Sequence, residues 1–249
     1  MNEEKKGHIH PLTQVITEVV EIFKELGFVV ADGPEIETEF HNFNALNVPP
    51  DHPARDMQDT FWLKPADSRK LLRTQTSAVQ IRYMEKNTPP IRIIAPGKIF
   101  RNEATDATHE AQFYQLEGLM VDKDVTMAHL KGTLELFLKK LFGESVNIRL
   151  RPSYFPFVEP GIEIDMSCSK CLQIPEKMDK CSMCKGTGWV EIMGAGMVHP
   201  AVFKSVGVDP DKWRGFAFGI GVDRLVLLKY GIEDIRLLYS GDLRFIEQF

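Results

Sequence analysis

Ile91-Arg92-Ile93-Ile94-Ala95-Pro96-Gly97-Lys98-Ile99-Phe100-Arg101 is separated from Phe113-Tyr114-Gln115-Leu116-Glu117-Gly118-Leu119-Met120-Val121 by a charged stretch, residues 102–112. β-Branched and aromatic residues dominate both runs, so both predict strands, and Pro96-Gly97 predicts a hairpin turn between residues 91–95 and 98–101. In the second run Phe113, Gln115 and Glu117 alternate with Tyr114, Leu116 and Gly118. One strand face then carries an aromatic ring, an amide and a carboxylate, a surface that can receive a polar ligand. Arg101 and Glu103 also share a face; taken alone they read as a solvated ion pair.

Further strands are predicted at residues 28–31, 147–151, 161–166 and 189–193. Leu12, Val15, Ile16, Val19, Val20, Phe23 and Leu26 keep a helical period between Pro11 and Gly27. A second helix starts at Thr76 or Ser77, carries Val79, Ile81 and Met84, and stops before Thr88-Pro89-Pro90. A third runs from Met127 through Leu141 to Gly143, and residues 47–59 read as a long loop. Strands in succession, with helices at the ends or between strand groups, predict an α+β fold: an antiparallel sheet flanked by helices. A doubly wound nucleotide fold is excluded, because its glycine fingerprint and its phosphate loop are missing.

The 249 residues are 43% apolar and 26% charged, which excludes disorder and fibre formation. A net charge of -5 argues against wholesale wrapping of nucleic acid and leaves room for a local basic site. No apolar run is long enough to span a bilayer, and Met1-Asn2-Glu3-Glu4-Lys5-Lys6 does not open a signal core, so a cytoplasmic protein is expected.

Two segments bear chemistry on their own. Cys168-x-x-Cys171 and Cys181-x-x-Cys184, nine residues apart, have the spacing of a tetrahedral zinc site. A site built from four cysteines keeps no open position, so its expected role is structural, as a small zinc-knuckle insert at residues 168–184 of one domain covering 1–249. Reduced buried thiols and an iron site are the alternatives. Gly219-Ile220-Gly221-Val222-Asp223-Arg224 delivers an arginine to the opening turn of a helix at residues 222–230. Glycines there permit close approach of a phosphate, although a simple packing turn has the same spacing.

In order and wording these segments, with the first helix and Gly33-Pro34, resemble the three signature motifs of class II aminoacyl-tRNA synthetases. His10-Pro11, Gly33-Pro34-Glu35-Ile36-Glu37, His52-Pro53-Ala54-Arg55, Leu71-Leu72-Arg73-Thr74-Gln75-Thr76-Ser77, residues 149–157 and residues 194–200 resemble the bacterial phenylalanyl-tRNA synthetase α subunits. The resemblance runs from His8 to Phe249. It implies that Arg101 meets the α-phosphate of ATP and Arg224 the γ-phosphate and adenine, as the two catalytic arginines. Glu103, His109 and Phe113 become ATP contacts, with Phe113 stacked on adenine. Gln75, Ser77, Gln115 and Glu117 become contacts to the amino acid's polar end; Gln75 alone also reads as a surface amide. Phe155 and Phe157, plain core residues without the resemblance, become the edge-to-face wall of a phenylalanine ring pocket bounded by Ala195 and Ala217. Glu159 corresponds to a carboxylate ligand of Mg2+, and Glu163 and Asp165 share a strand face nearby and could assist it.

The function implied is ATP-dependent activation of phenylalanine and transfer to tRNA(Phe), with ATP, Mg2+ and structural Zn2+, in an α2β2 assembly with a β subunit that carries the family's editing site. Two other readings stay open: an adenylating paralogue with a non-tRNA acceptor, and a non-catalytic zinc-bearing binding module. The family α subunit normally begins with a coiled-coil arm that touches tRNA, whereas this sequence begins at the catalytic core.

Overall fold

The computed structural model describes residues 7–52, 60–173 and 175–249. Residues 1–6, the motif piece Pro53-Ala54-Arg55 and the rest of the expected loop to residue 59 lie outside the described residues. His10 opens the first helix, Pro11–Glu25: its Nδ1 accepts the Leu12 N–H at 3.2 Å, and Pro11 takes the first turn, where no N–H is needed. The described strands are β1 (Val29–Val30), β2 (Ile36–Thr38), β3 (Lys70–Leu72), β4 (Ile91–Phe100), β5 (Gln112–Asp122), β6 (Ile148–Phe155), β7 (Val158–Ser167), β8 (Trp189–Val198) and β9 (Arg214–Gly221). Seven of them form one sheet in the order β1-β4-β5-β9-β8-β7-β6; β2 and β3 pair separately.

Two expectations need correction. The sheet is mixed, because β1 runs parallel to β4, with Val29 opposite Ile93. A parallel pair requires a long crossover, and the chain between these strands includes the helix Ser77–Lys86. Pro96-Gly97 is not a turn: β4 is continuous, with Pro96 opposite Leu116 and Gly97 opposite Gln115. Pro96 stands beyond the residues that β1 covers, so on that side its missing N–H costs no ladder bond. At Gly97 a Cβ would lie 2.3 Å from Nη2 of buried Arg73, so a larger residue there would push the guanidinium off its bonds to the Lys98 and Gly33 carbonyls.

Alternation along the strands divides the core. Ile94, Leu116, Phe216, Phe218 and Ile220 face the helices Pro11–Glu25, Met127–Phe142 and Val222–Tyr230. There the Phe23 ring lies 4.8 Å from Phe137 and 5.3 Å from Phe218 between centroids. Burying a side chain of that size contributes about 1.5–3 kcal/mol. Gly118 makes room for the packing, since a Cβ there would come within 2.1 Å of the Phe218 ring. Ile91, Ile93, Ala95, Leu119 and Val121 face the other way, onto Val79, Ile81, Met84, Val202 and Phe203. That second face is only partly covered, and a cavity opens on it.

Candidate active site

The cavity is about 410 Å³ and draws its walls from six parts of the fold. The residue after β4 is Arg101, and β5 supplies Gln115, Glu117 and Leu119 by strand alternation. Gln75 precedes the helix Ser77–Lys86, which presents Ser77, Gln80 and Met84 at helical spacing. The β6–β7 turn brings Tyr154, Phe155, Pro156 and Phe157, while Gly194 and Ala195 of β8 and Ala217 and Gly219 of β9 form the floor. Two floor glycines are closely approached: a Cβ at Gly194 would meet the Phe155 ring at 2.8 Å, so the ring would have to shift, and one at Gly219 would crowd Glu117 Cγ at 3.1 Å. The Phe155 and Phe157 rings stack with centroids 5.9 Å apart.

Glu117 is the buried polar end of this slot. Its carboxylate accepts from the Ser77 hydroxyl and from Gln80 Nε2 at 2.9 Å. Burial pushes its carboxyl up to about 7, against the lowering pull of the Ser77 and Thr76 bonds and of the Arg101 charge. Gln115 Oε1 accepts the Thr76 N–H at 3.3 Å. The half-buried Arg101 donates from Nε to the Thr74 carbonyl at 3.3 Å, and its guanidinium sits 5.3 Å from the Phe113 ring centroid. Burial lowers the Arg101 pKa, while Glu103 and Glu117 raise it. Gln75 is buried and donates to the Asn42 carbonyl at 3.2 Å, so the surface-amide reading fails.

Nine of the expected residues therefore share one cavity: Arg101, Gln75, Ser77, Gln115, Glu117, Phe155, Phe157, Ala195 and Ala217. Phe113 joins through Arg101 alone. Glu103 and His109 lie on the β4–β5 connection, where the exposed His109 bonds Asp106 at 3.1 Å instead of facing the cavity. Arg224 is exposed three residues past Gly221, the partner of Gln115, and its Nε donates to the Glu191 carbonyl at 2.8 Å. Among the described residues its two terminal nitrogens have no partner.

Glu159 is 74% exposed, lies outside the cavity wall and contacts His199 at 3.3 Å. Glu163 and Asp165 do not assist it. Asp165 is clamped by Arg149 and Arg151 at 2.6–2.9 Å, and Glu163 pairs with Arg151 and Ser153 at 2.9 Å. A face shared by two carboxylates on β7 attracts neighbouring arginines from β6 before it attracts a cation.

Sequence reasoning assigned no role to Arg73, Gln80 or Asp223. Arg73 donates to the carbonyls of Lys98 at 2.7 Å and Gly33 at 2.9 Å, fixing the segment that carries Thr74, Gln75 and Ser77. Asp223 accepts the Tyr114 N–H at 2.7 Å and the Tyr239 hydroxyl, so the helix bearing Arg224 is tied to the start of β5. Gln80 was legible as the residue three positions beyond Ser77. Thr76 occupies the N-cap position without a capping bond, and its Oγ1 has no partner among the described residues.

The four cysteine sulfurs lie within 4.8 Å of one another, with Cys168–Cys181 at 3.7 Å and Cys171–Cys184 at 3.5 Å. Four sulfurs about 2.3 Å from a tetrahedral zinc stand about 3.8 Å apart, so the donor set fits that ion. The insert leaves the sheet through a neck in which Ser167 pairs with Trp189.

A model of the class II core domain of tRNA synthetases (F) matches residues 1–249. The chain belongs to the class II tRNA synthetase family. Within it, the phenylalanine–tRNA ligase α subunit of Dehalococcoides mccartyi is 58% identical over 98% of the chain and 70% of its own length. That of Bacillus subtilis is 55% identical over 98% of the chain and 69% of its own length. Both degrees of likeness place the chain among these α subunits, of whose length it spans about 70%. The pyrrolysyl-tRNA synthetase of Desulfitobacterium hafniense shares the fold at a TM-score of 0.67 and 18% identity, over 93% of the chain and 74% of its own. Membership in this synthetase family implies ATP with Mg2+. No helix among the described residues is long and apolar enough to cross a membrane.

Proposed function

We propose that this chain is the catalytic α subunit of a phenylalanine–tRNA ligase: it activates L-phenylalanine with ATP and transfers it to tRNA(Phe). It works in the cytoplasm with a β subunit, as one catalytic domain over residues 1–249 with an insert at 168–184. The observation that carries this reading is an apolar slot, walled by Phe155, Phe157 and Ala217, that ends on buried Glu117 beside Arg101.

The phenylalanine ring enters the slot, where ring edges meet aromatic faces favourably. Its ammonium pairs with Glu117 and Gln115, near Ser77. Its carboxylate oxygen then attacks the α-phosphorus in line; the new O–P bond forms as the bond to pyrophosphate breaks, and pyrophosphate leaves. Arg101 takes up charge at the α-phosphate and Arg224 at the departing end, with Phe113 under the adenine. A terminal ribose hydroxyl of tRNA next takes the acyl group and AMP leaves, so no protein nucleophile is required. Catalysis is positioning plus charge neutralisation. Mg2+ is commonly held by one or two carboxylates together with substrate phosphates, and Glu159 is the exposed carboxylate that would hold it, withdrawing charge from the phosphates. Cys168, Cys171, Cys181 and Cys184 would hold zinc, which folds the insert.

Phenylalanine-dependent ATP/pyrophosphate exchange tests the reading. Exchange that needs phenylalanine separates an enzyme from a binding module, and charging of tRNA(Phe) separates a synthetase from an adenylating paralogue. The pocket makes a narrower prediction. Ala217→Gly, which removes a methyl from the ring wall, is expected to admit para-substituted phenylalanines in the exchange assay, with a gain of about tenfold or more. Unchanged selectivity would remove Ala217 from the pocket. Zinc makes another: full chelation is expected to disorder residues 168–184 first, read as raised amide exchange there. Circular dichroism and activity that both survive chelation unchanged would reject a structural zinc.

A further inference from the structure

Asp223 lies where the ladder between β5 and β9 runs out. The last rung opposes Gln115 and Gly221, and β9 then becomes the helix Val222–Tyr230. Tyr114, one residue beyond that rung, has no β9 partner, and its N–H goes to Asp223 Oδ2 at 2.7 Å instead. Phe113 is held by β4 alone, opposite Ile99. One carboxylate thus stands in for the missing strand at the peptide unit that joins Phe113 to Tyr114, and the residue after that carboxylate is Arg224. Asp223 is 2% exposed. Burial pushes its carboxyl up, whereas the Tyr239 hydroxyl and the Tyr114 N–H draw it down by bonding the charged form. Oδ2 serves Tyr114, and Oδ1 accepts from the Tyr239 hydroxyl, so Tyr239 sets where the carboxylate points.

Tyr239 stands on a fixed platform. The turn Ile235–Leu238 before it is opened by Asp234, whose carboxylate accepts the Arg236 N–H at 2.9 Å, and it buries Ile235 and Leu238 in the core. The Leu238 carbonyl accepts from His10 Nε2 at 3.0 Å, which ties the turn to the start of the first helix. The same turn reaches a second part of the site. Ile235 N–H donates to the Ala107 carbonyl at 3.0 Å, on the connection over residues 101–111 that carries Glu103 and His109. Residues 235–239 therefore bond both the connection after β4 and the helix that bears Arg224. The amino-acid end of the cavity is held independently, Glu117 by Ser77 and Gln80, and Gln115 by the Thr76 N–H.

We infer that Tyr239 is a positioning residue for ATP: its hydroxyl fixes the Asp223 carboxylate, which holds the strand end that carries Phe113 and the helix turn that carries Arg224. The inference rests on the proposed function and adds to it a residue that touches no substrate. A bond to a buried carboxylate is stronger than one between neutral groups, so one hydroxyl can govern the placement of two ATP contacts. Misplacing a contact by about 1 Å costs on the order of a hundredfold when the group must meet a reacting ligand in register.

The test uses the chain assembled with its β subunit. Tyr239→Phe removes one hydroxyl and keeps the ring. In phenylalanine-dependent ATP/pyrophosphate exchange its KM for ATP is expected to rise about tenfold or more, while the KM for phenylalanine changes by less than about threefold. Asp223→Asn, which keeps the shape of the side chain but not its charge or its second acceptor oxygen, should show the same split. Amide exchange gives a readout apart from activity: the peptide containing Tyr114 should exchange faster in both variants than in wild type. A wild type without phenylalanine-dependent exchange would overturn the reading on which the inference rests. With an active wild type, the inference alone falls if the KM for ATP stays within about twofold of wild type, or if both KM values rise together as in a general distortion of the cavity. A loss of turnover with both KM values unchanged, the mark of a merely structural role, would overturn it equally.

Discussion

Replacing Arg101 by alanine is expected to lower the turnover of phenylalanine-dependent exchange by about 10³-fold or more, the range seen when a transition-state arginine is removed from phosphoryl chemistry. Phenylalanine affinity, measured by calorimetry, should change by less than about tenfold, because the ammonium and ring contacts lie elsewhere in the slot. The physical basis is preorganisation. The Thr74 carbonyl holds Nε and the Phe113 ring lies beneath the guanidinium plane, so the charge waits in place and needs no reorganisation when the phosphate arrives. Burial works against the charge, but Glu103 and Glu117 oppose that, and a guanidinium stays protonated. Arg101→Lys should recover little, since an ammonium cannot present a fork to two phosphate oxygens. Turnover within about tenfold of wild type in Arg101→Ala would remove this residue from the chemistry.

Glu117→Gln should raise the KM for phenylalanine by about two orders of magnitude or more, as expected when one partner of a desolvated charge pair is neutralised. A pH signature distinguishes this from a packing defect. Burial raises the Glu117 carboxyl to about 7 in the folded protein, from an ordinary value of 4.5. Between those values the folded state binds more protons than the unfolded one. This group's contribution to stability therefore falls as pH rises through that window and is fully present only below it. Binding has the opposite sense: the ammonium needs the carboxylate, so affinity for phenylalanine should weaken as pH drops below about 7. The Gln variant should lose that dependence, and a pH profile identical to wild type would contradict the assignment.

Local periodicity made much of this site legible. A strand period of two put Gln115 and Glu117 on one face, and helical spacing put Gln80 beside Ser77. The places where sequence reading failed have non-local causes. Pro96-Gly97 carries turn chemistry, yet it lies within a strand because Arg73, more than twenty residues away, fills the space where a Cβ would stand. The parallel pairing of β1 depends on a crossover that no short window contains. Asp165 looked available for a metal because its partners Arg149 and Arg151 reach it only after β6 and β7 pair. Phe155 and Phe157 are indistinguishable from core residues until the β6–β7 turn places them over Gly194 and Ala195.

A crystal structure with a non-hydrolysable phenylalanyl-adenylate analogue addresses the central claim most directly. The ring is expected between Phe155, Phe157 and Ala217, the ammonium within hydrogen-bond distance of Glu117 and Gln115, and the phosphate on Arg101. An analogue bound outside this slot, or one whose phosphate faces away from Arg101 with the ring elsewhere, would contradict it.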